Sequence, residues 1–229
     1  MLILALDTTT PAGSCALAAD GIVLREEASD VSRPPAERLP SDLMAILERS
    51  DLTLADVDAF AVATGPGSFT GLRIGIATMQ GLAFAAGKPL VGVSGLDALA
   101  RIGELEAAGD RVATWVDAWR GEVYAALYSG GREIEAPVVA APENLLSRLD
   151  GAPTLFIGGG AGTYRGLVVS RRGGACRVAT PATPLLAGTI AILAGVAVAA
   201  GEAAPAHAIR PLYVRRTDAE LARDARAAR

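Results

Sequence analysis

The chain has 229 residues, 51% of them hydrophobic and 20% charged, with a formal net charge of −4. High apolar content and small net charge exclude general disorder, and at this length folding buries roughly 70% of the unfolded chain's surface. Two cysteines, Cys15 and Cys176, are too few for a disulfide framework, and the acidic balance argues against strong independent nucleic-acid binding. Met1 to Asp7 lacks the basic region and cleavage site of a signal peptide, so free thiols in a reducing cytoplasm are expected. The longest uncharged run, Ala182 to Gly201, is dominated by Ala and Gly and broken by Thr183, Pro184 and Thr189. It reads as a buried helix rather than a membrane span. Lys88 is the only lysine; the bias to arginine and alanine is read as base composition and carries no function.

In chain order, Leu2 to Leu6 is an apolar strand ending at Asp7, followed by the turn Thr8-Thr9-Thr10-Pro11-Ala12-Gly13. Ser14 to Ala19 and Ile22 to Glu27 are strands joined by the two-residue turn Asp20-Gly21. Pro34 and Pro35 open a helix whose stripe is Leu39, Leu43, Ile46 and Leu47. Phe60 to Thr64 is a strand buried on both faces. Gly65-Pro66-Gly67-Ser68 then turns into a helix lasting to about Gly87, followed by a strand, Leu90 to Val93, and a short helix, Leu96 to Ile102. The second half partly repeats this order: strands Val112 to Val116, Glu122 to Tyr128 and Arg132 to Ala136, a helix Pro142 to Leu149, a strand Thr154 to Ile157, and a helix Leu185 to Ala200. Two related halves predict a duplicated, mixed α/β chain. The expected division is a first lobe over 1–105, a second over 106–205 and a basic tail over 206–229.

Most catalytic constellations fail on the sequence. His207 is the only histidine, no Cys-x-x-Cys pair exists, and no Gly-x-Ser-x-Gly elbow is present, so metallohydrolase and serine-hydrolase chemistry are excluded. Pro89 after Lys88 breaks a Walker loop, and Thr163 breaks a dinucleotide fingerprint in Gly158-Gly159-Gly160-Ala161-Gly162. That glycine run reads either as a tight turn or as a nest of N–H groups around an anion. Asp7-Thr8-Thr9-Thr10 at one strand end and Asp117 at another form a candidate phosphate- and magnesium-handling pair, with capping of the local turns as the alternative. Asp7, Thr8, Thr9, Thr10, Asp117, Gly158, Gly159 and Gly160 are therefore the candidate cofactor contacts; no metal cluster is expected.

The helix Thr70 to Gly87 is apolar almost all round. One stripe is Leu72, Ile76, Met79 and Ala83; another, Gly71, Gly75, Thr78 and Leu82, is small enough for a second helix to come close, and Arg73 and Gln80 supply the polar face. Such a helix must be covered on most sides. With the first helix it is expected to leave a strip for a partner, formed by Leu39, Leu43, Gly71, Leu72, Arg73, Gly75, Ile76, Met79 and Ala83.

Asp7-Thr8-Thr9-Thr10, the segment Gly65 to Gly75, Leu90-Val91-Gly92-Val93-Ser94, Asp117 with Arg120-Gly121-Glu122-Val123-Tyr124, and Pro211-Leu212-Tyr213-Val214-Arg215 together strongly resemble the TsaB (YeaZ) family. The match is dense to about Ser129 and thin from Gly130 to Gly201. The resemblance implies an actin-like (ASKHA, ribonuclease H-like) two-lobe fold. It also implies a non-catalytic cytoplasmic role in making threonylcarbamoyladenosine at position 37 of tRNA, as partner of a TsaD-type transferase alongside a TsaE-type ATPase, with tRNA met through the complex. Family members pair through the first helix and the Gly-Pro-Gly helix, with themselves as homodimers or with TsaD. The transferase paralogue holds a metal on a His-x-x-x-His pair of its first helix; here that helix opens Arg33-Pro34-Pro35-Ala36-Glu37-Arg38-Leu39, without histidine. No catalytic residue and no cofactor of its own are expected, although a nucleotide within the complex is compatible with the resemblance. Competing readings are an independent ATP-dependent phosphotransferase using Asp7 and Asp117, and, less favoured, a protease.

Overall fold

The computed structural model describes residues 1–10, 13–29 and 34–214. The expected turn at Pro11-Ala12, the helix opening at Arg33, and the tail residues Arg215, Arg216, Arg223, Arg226 and Arg229 lie outside the described residues. Leu2–Asp7 (β1), Ser14–Ala19 (β2) and Ile22–Ala28 (β3) form an antiparallel meander. Asp20 and Gly21 turn the hairpin with φ of 50° and 79°, the left-handed pair whose twist matches the flanking strands. Pro35–Glu48 (α1) follows, with proline in the first turn, where a missing N–H costs nothing. Ala59–Gly65 (β4), Phe69–Ala86 (α2) and Leu90–Ser94 (β5) complete the first sheet. The ends of α2 are written locally: Ser68 Oγ accepts from Gly71 N–H at 3.2 Å, and Gly87 caps the other end at φ 64°.

Gly95–Ala107 (α3) leads into the second half: Arg111–Asp117 (β6), Val123–Ser129 (β7), Arg132–Ala140 (β8), Pro142–Arg148 (α4), Thr154–Ile157 (β9), Gly159–Thr163 (α5), Arg165–Arg172 (α6), Cys176–Val178 (β10) and Ala187–Ala199 (α7). The sheets run β3-β2-β1-β4-β5 and β8-β7-β6-β9-β10, the same order twice. In each, three antiparallel strands are followed by two that pair in parallel. This is the duplicated actin-like α/β arrangement. Three details depart from the sequence reading. β8 runs on to Ala140, α3 reaches Ala107, and α6 and β10 occupy a stretch to which the sequence assigns no element.

Strand alternation sorts the core into layers. On β1 and β4, Leu4, Leu6, Phe60 and Val62 face α1 and α2, packing with Leu39, Leu43, Ile46, Ile76 and Met79. The opposite face is nearly all small: Ala5, Ala16, Ala18, Ala59, Ala61 and Ala63 lie against Ala187, Ile190, Ala191 and Ala194 of α7. The alanine richness thus has a packing use, since methyl-sized side chains let a helix approach the sheet closely. The second sheet turns Val112, Leu155 and Ile157 toward α3 in the same central layer. Its outer face, with Trp115 and Phe156 ring edge to ring face at 4.9 Å, is covered by α4, α5 and α6. The halves therefore interleave: α3, which follows the first sheet in sequence, lies mainly on the second, and α7 lies mainly on the first. After α7 the chain returns along α2. Gln80 Nε2 donates to the carbonyls of Ala206 (2.8 Å) and Ile209 (3.2 Å), Ile209 is buried, and Leu212 N–H donates to Thr64 O at 2.7 Å.

Candidate functional site

At the end of β1, Asp7 Oδ1 accepts from Thr9 N–H at 2.8 Å, closing an Asx turn. The Gly-Pro-Gly segment lies directly on this turn. Ser68 N–H donates to Thr9 O at 2.8 Å. A Cβ on Gly67 would sit 2.4 Å from Thr9 O, one on Gly71 2.4 Å from Thr8 O, and one on Gly75 2.3 Å from Thr8 Oγ1. Three glycines at four-residue spacing thus let the first two turns of α2 rest on the Thr8-Thr9 backbone. That is the physical reason for the segment's glycines, and it corrects the expectation that Gly71 and Gly75 admit a helix of another molecule. Asp7 itself points to the other face of β1, the one it shares with Ala5; it is only 2% exposed, and burial raises its carboxyl above the ordinary range despite the hydrogen bonds from Thr9.

β6 ends in the matching position. Asp117 Oδ1 accepts from Trp119 N–H, also at 2.8 Å. Here the carboxylate stays half-buried. The hairpin tip runs through three left-handed residues, Trp119 (φ 54°), Arg120 (57°) and Gly121 (77°), and leaves Trp119 52% exposed. Opposite, Gly158 (φ 113°) leaves β9 so close to Trp115 O that a Cβ would stand 2.2 Å away, and its N–H donates to Ala182 O at 2.7 Å.

Between these loops lies a cavity of about 270 Å³, lined by Thr9, Thr10, Asp117, Trp119, Gly158 and Gly159 together with Leu99, Val116, Thr163, Thr183, Pro184 and Leu186. Five of the candidate contacts, Thr9, Thr10, Asp117, Gly158 and Gly159, are brought together. Asp7, Thr8 and Gly160 are not: the first two are buried, Thr8 against Gly71 and Gly75 of α2, and Gly160 packs on Val123 and Trp115. Sequence reading missed Trp119, whose signal was a bulky residue beside Arg120-Gly121 at a hairpin tip.

A magnesium nucleoside triphosphate needs carboxylates that reach the metal, and cations or free N–H groups around the phosphates. Among the described residues the cavity walls hold no lysine or arginine and one carboxylate, Asp117. Asp7 is buried and does not line the cavity, and the N–H groups of Thr9 and Gly158 are already donated. Among the described residues no three His, Cys, Asp or Glu gather to hold a metal. The residues present do not fit that group.

The predicted partner strip also needs correction. Leu39, Leu43 and Met79 are wholly buried, and Leu72, Ile76 and Ala83 nearly so, all within the chain's own core beneath α1 and α2. Of the nine predicted residues only Arg73 is exposed. The outward strip of α2 is instead Phe69, Thr70, Arg73, Ala77, Gly81 and Phe84, with Phe84 87% exposed. At its head the Arg73 guanidinium lies 3.9 Å over the Phe69 ring, and its Nε donates to Tyr213 Oη at 3.2 Å. The error was one of helical phase: the larger apolar stripe serves the sheet.

A family model described as "TsaD: tRNA N6-adenosine threonylcarbamoyltransferase" matches residues 26–157. The Escherichia coli tRNA threonylcarbamoyladenosine biosynthesis protein TsaB is 40% identical over 156 residues, 65% of this chain and 66% of that protein. The Haemophilus influenzae protein of the same name is 35% identical over 181 residues, 72% of this chain and 74% of its own. YeaZ from Pseudomonas aeruginosa superposes with a TM-score of 0.77 at 36% identity, covering 93% of this chain and 99% of that one. The chain belongs to the TsaB (YeaZ) family. In this TsaB-family chain no helix among the described residues is long and apolar enough to cross a membrane.

Proposed function

We propose that this TsaB-family chain is the non-catalytic subunit of a tRNA threonylcarbamoyladenosine modification complex, binding and activating a TsaD-type transferase. The observation that carries this reading is the outer strip of α2, where Phe84 is 87% exposed and Phe69 43%, beside half-buried Ile74 and Leu82. An aromatic-bearing helix face of this kind is typical of surfaces that another protein covers. Family membership supports the pathway, and the buried Asp7 together with a cavity that holds no cation among the described residues gives a phosphotransferase reading no support. Tyr213 and the returning segment brace Arg73, the polar anchor of the strip, and α1 adds Met44, 40% exposed. The same strip would serve self-pairing in the absence of the transferase; a TsaE-type ATPase and tRNA join at the level of the complex.

Two measurements test the reading. Omitting this chain from a reconstituted threonylcarbamoylation assay is expected to abolish modification; undiminished product refutes the role. Gly81 has open space where a Cβ would stand, so Gly81→Arg is expected to leave the fold intact yet prevent co-elution with the transferase on size exclusion. Normal co-elution of that variant removes the α2 strip as the interface.

A further inference from the structure

Among the described residues the interlobe cavity carries one charge, and it is negative, Asp117; its hydroxyls come from Thr9, Thr10, Thr163 and Thr183, and its apolar walls are Leu99, Val116, Trp119, Pro184 and Leu186. We propose that this cleft binds an uncharged planar ligand of nucleoside type, its ring against Trp119 and its hydroxyls on Asp117, and does not bind a phosphorylated nucleotide. The proposal stands on the cleft alone and is independent of the accessory-subunit reading.

Three observations carry it. First, Trp119 is held half-exposed at the cavity by a hairpin tip with two consecutive non-glycine residues at positive φ, 54° and 57°. Such backbone is costly and persists where the surroundings impose it. An indole presented in this way offers a stacking face to any planar ring. Second, the half-buried Asp117 carboxylate lines the cavity while one of its oxygens accepts from Trp119 N–H, which fixes its orientation. A carboxylate so placed accepts from a vicinal diol or a ring amine, and it repels phosphate. Third, three N–H groups of the surrounding loops are already donated within the chain. Asp7 and the Thr9 N–H satisfy each other, Ser68 N–H is taken by Thr9 O, and Gly158 N–H is taken by Ala182 O. A volume of about 270 Å³ is the size of a ring with a sugar.

The test uses the full chain and adenosine as probe, with AMP, ATP and ATP plus magnesium as the other arms. Trp119 fluorescence is informative because the second tryptophan, Trp115, is buried in the outer core beside Phe156. Adenosine is expected to change the emission saturably. Each added phosphate is expected to weaken binding, ATP by about tenfold or more, with no rescue by magnesium. By calorimetry, Trp119→Ala should weaken adenosine about tenfold, whereas Trp119→Phe, which keeps a ring, should stay within about threefold. Asp117→Asn retains an acceptor for the Trp119 N–H, so the hairpin survives. It should weaken adenosine and strengthen ATP, moving the two ligands in opposite directions. Tighter binding of ATP than adenosine, a requirement for magnesium, no saturable adenosine signal, or indifference to both Trp119→Ala and Asp117→Asn would each overturn the proposal.

Discussion

Asp7 and Asp117 occupy equivalent places in the two halves and make the same local bond, an oxygen accepting from the N–H two residues on at 2.8 Å. They nevertheless have opposite fates. Asp7 is 2% exposed, while Asp117 stays partly exposed at the cavity. The bond is a property of a few consecutive residues; the burial depends on what the rest of the fold packs against each turn. In the first half Gly67, Gly71 and Gly75 let α2 lie on Thr8 and Thr9, the residues that follow Asp7. In the second, the hairpin tip at Trp119 carries its large side chain outward instead. Duplication has therefore preserved the turn and divided the surroundings.

The comparison is broken most severely at Gly75. Gly75→Ala puts a methyl 2.3 Å from the Thr8 hydroxyl oxygen, so α2 must lift off its own loop. A loss of about 1–3 kcal/mol in denaturant unfolding is expected. The Gly75→Arg exchange would disrupt the lobe itself, and so it cannot report on a partner.

The next effect is electrostatic. Burial raises the Asp7 carboxyl, so ionising it costs the folded state more than the unfolded chain. Stability is then greatest below about pH 4, the ordinary carboxylate value, and falls as pH rises from there through the raised one. Asp7→Asn, which keeps the acceptor for Thr9 N–H, should flatten that slope and raise stability at neutral pH. Equal slopes for wild type and Asp7→Asn would show that the buried carboxyl is not strained. The smallest effect is at the hairpin tip: Trp119→Gly relieves one left-handed residue and should stabilise by about 0.5 kcal/mol, read as a rise in melting temperature.

What could be read beforehand follows the same division between local and tertiary causes. The meander, its Asp20-Gly21 turn and the α1 stripe depend on neighbours a few residues apart, and the coordinates reproduce them. The repeated strand order was visible because each strand is an apolar run ended by a turn. β10, three residues long, and α6, Arg-Gly-Leu-Val-Val-Ser-Arg-Arg, are too short for a periodic signal. The spacing of Gly71 and Gly75 said only that something approaches α2 closely. It could not say whether the visitor is a foreign helix or the chain's own Thr8. Likewise, an apolar stripe on a helix shows that it is covered, and only the sheet's position distinguishes Leu72 and Met79, inside, from Phe84, outside. The cavity was half legible: strand-end Asp117 and the Gly158-Gly159 run were marked by residue type, whereas Trp119 became informative through its exposure.

The layering of α7 bears on how the molecule is made. The methyl-sided face of the first sheet, laid down by residues before Val93, is closed by a helix that begins at Ala187, and its α2 flank by carbonyls at Ala206 and Ile209. On the ribosome, the first sheet is therefore sealed only once the segment Ala187 to Ile209 has emerged. These are closures between residues far apart in sequence, the kind that slow folding.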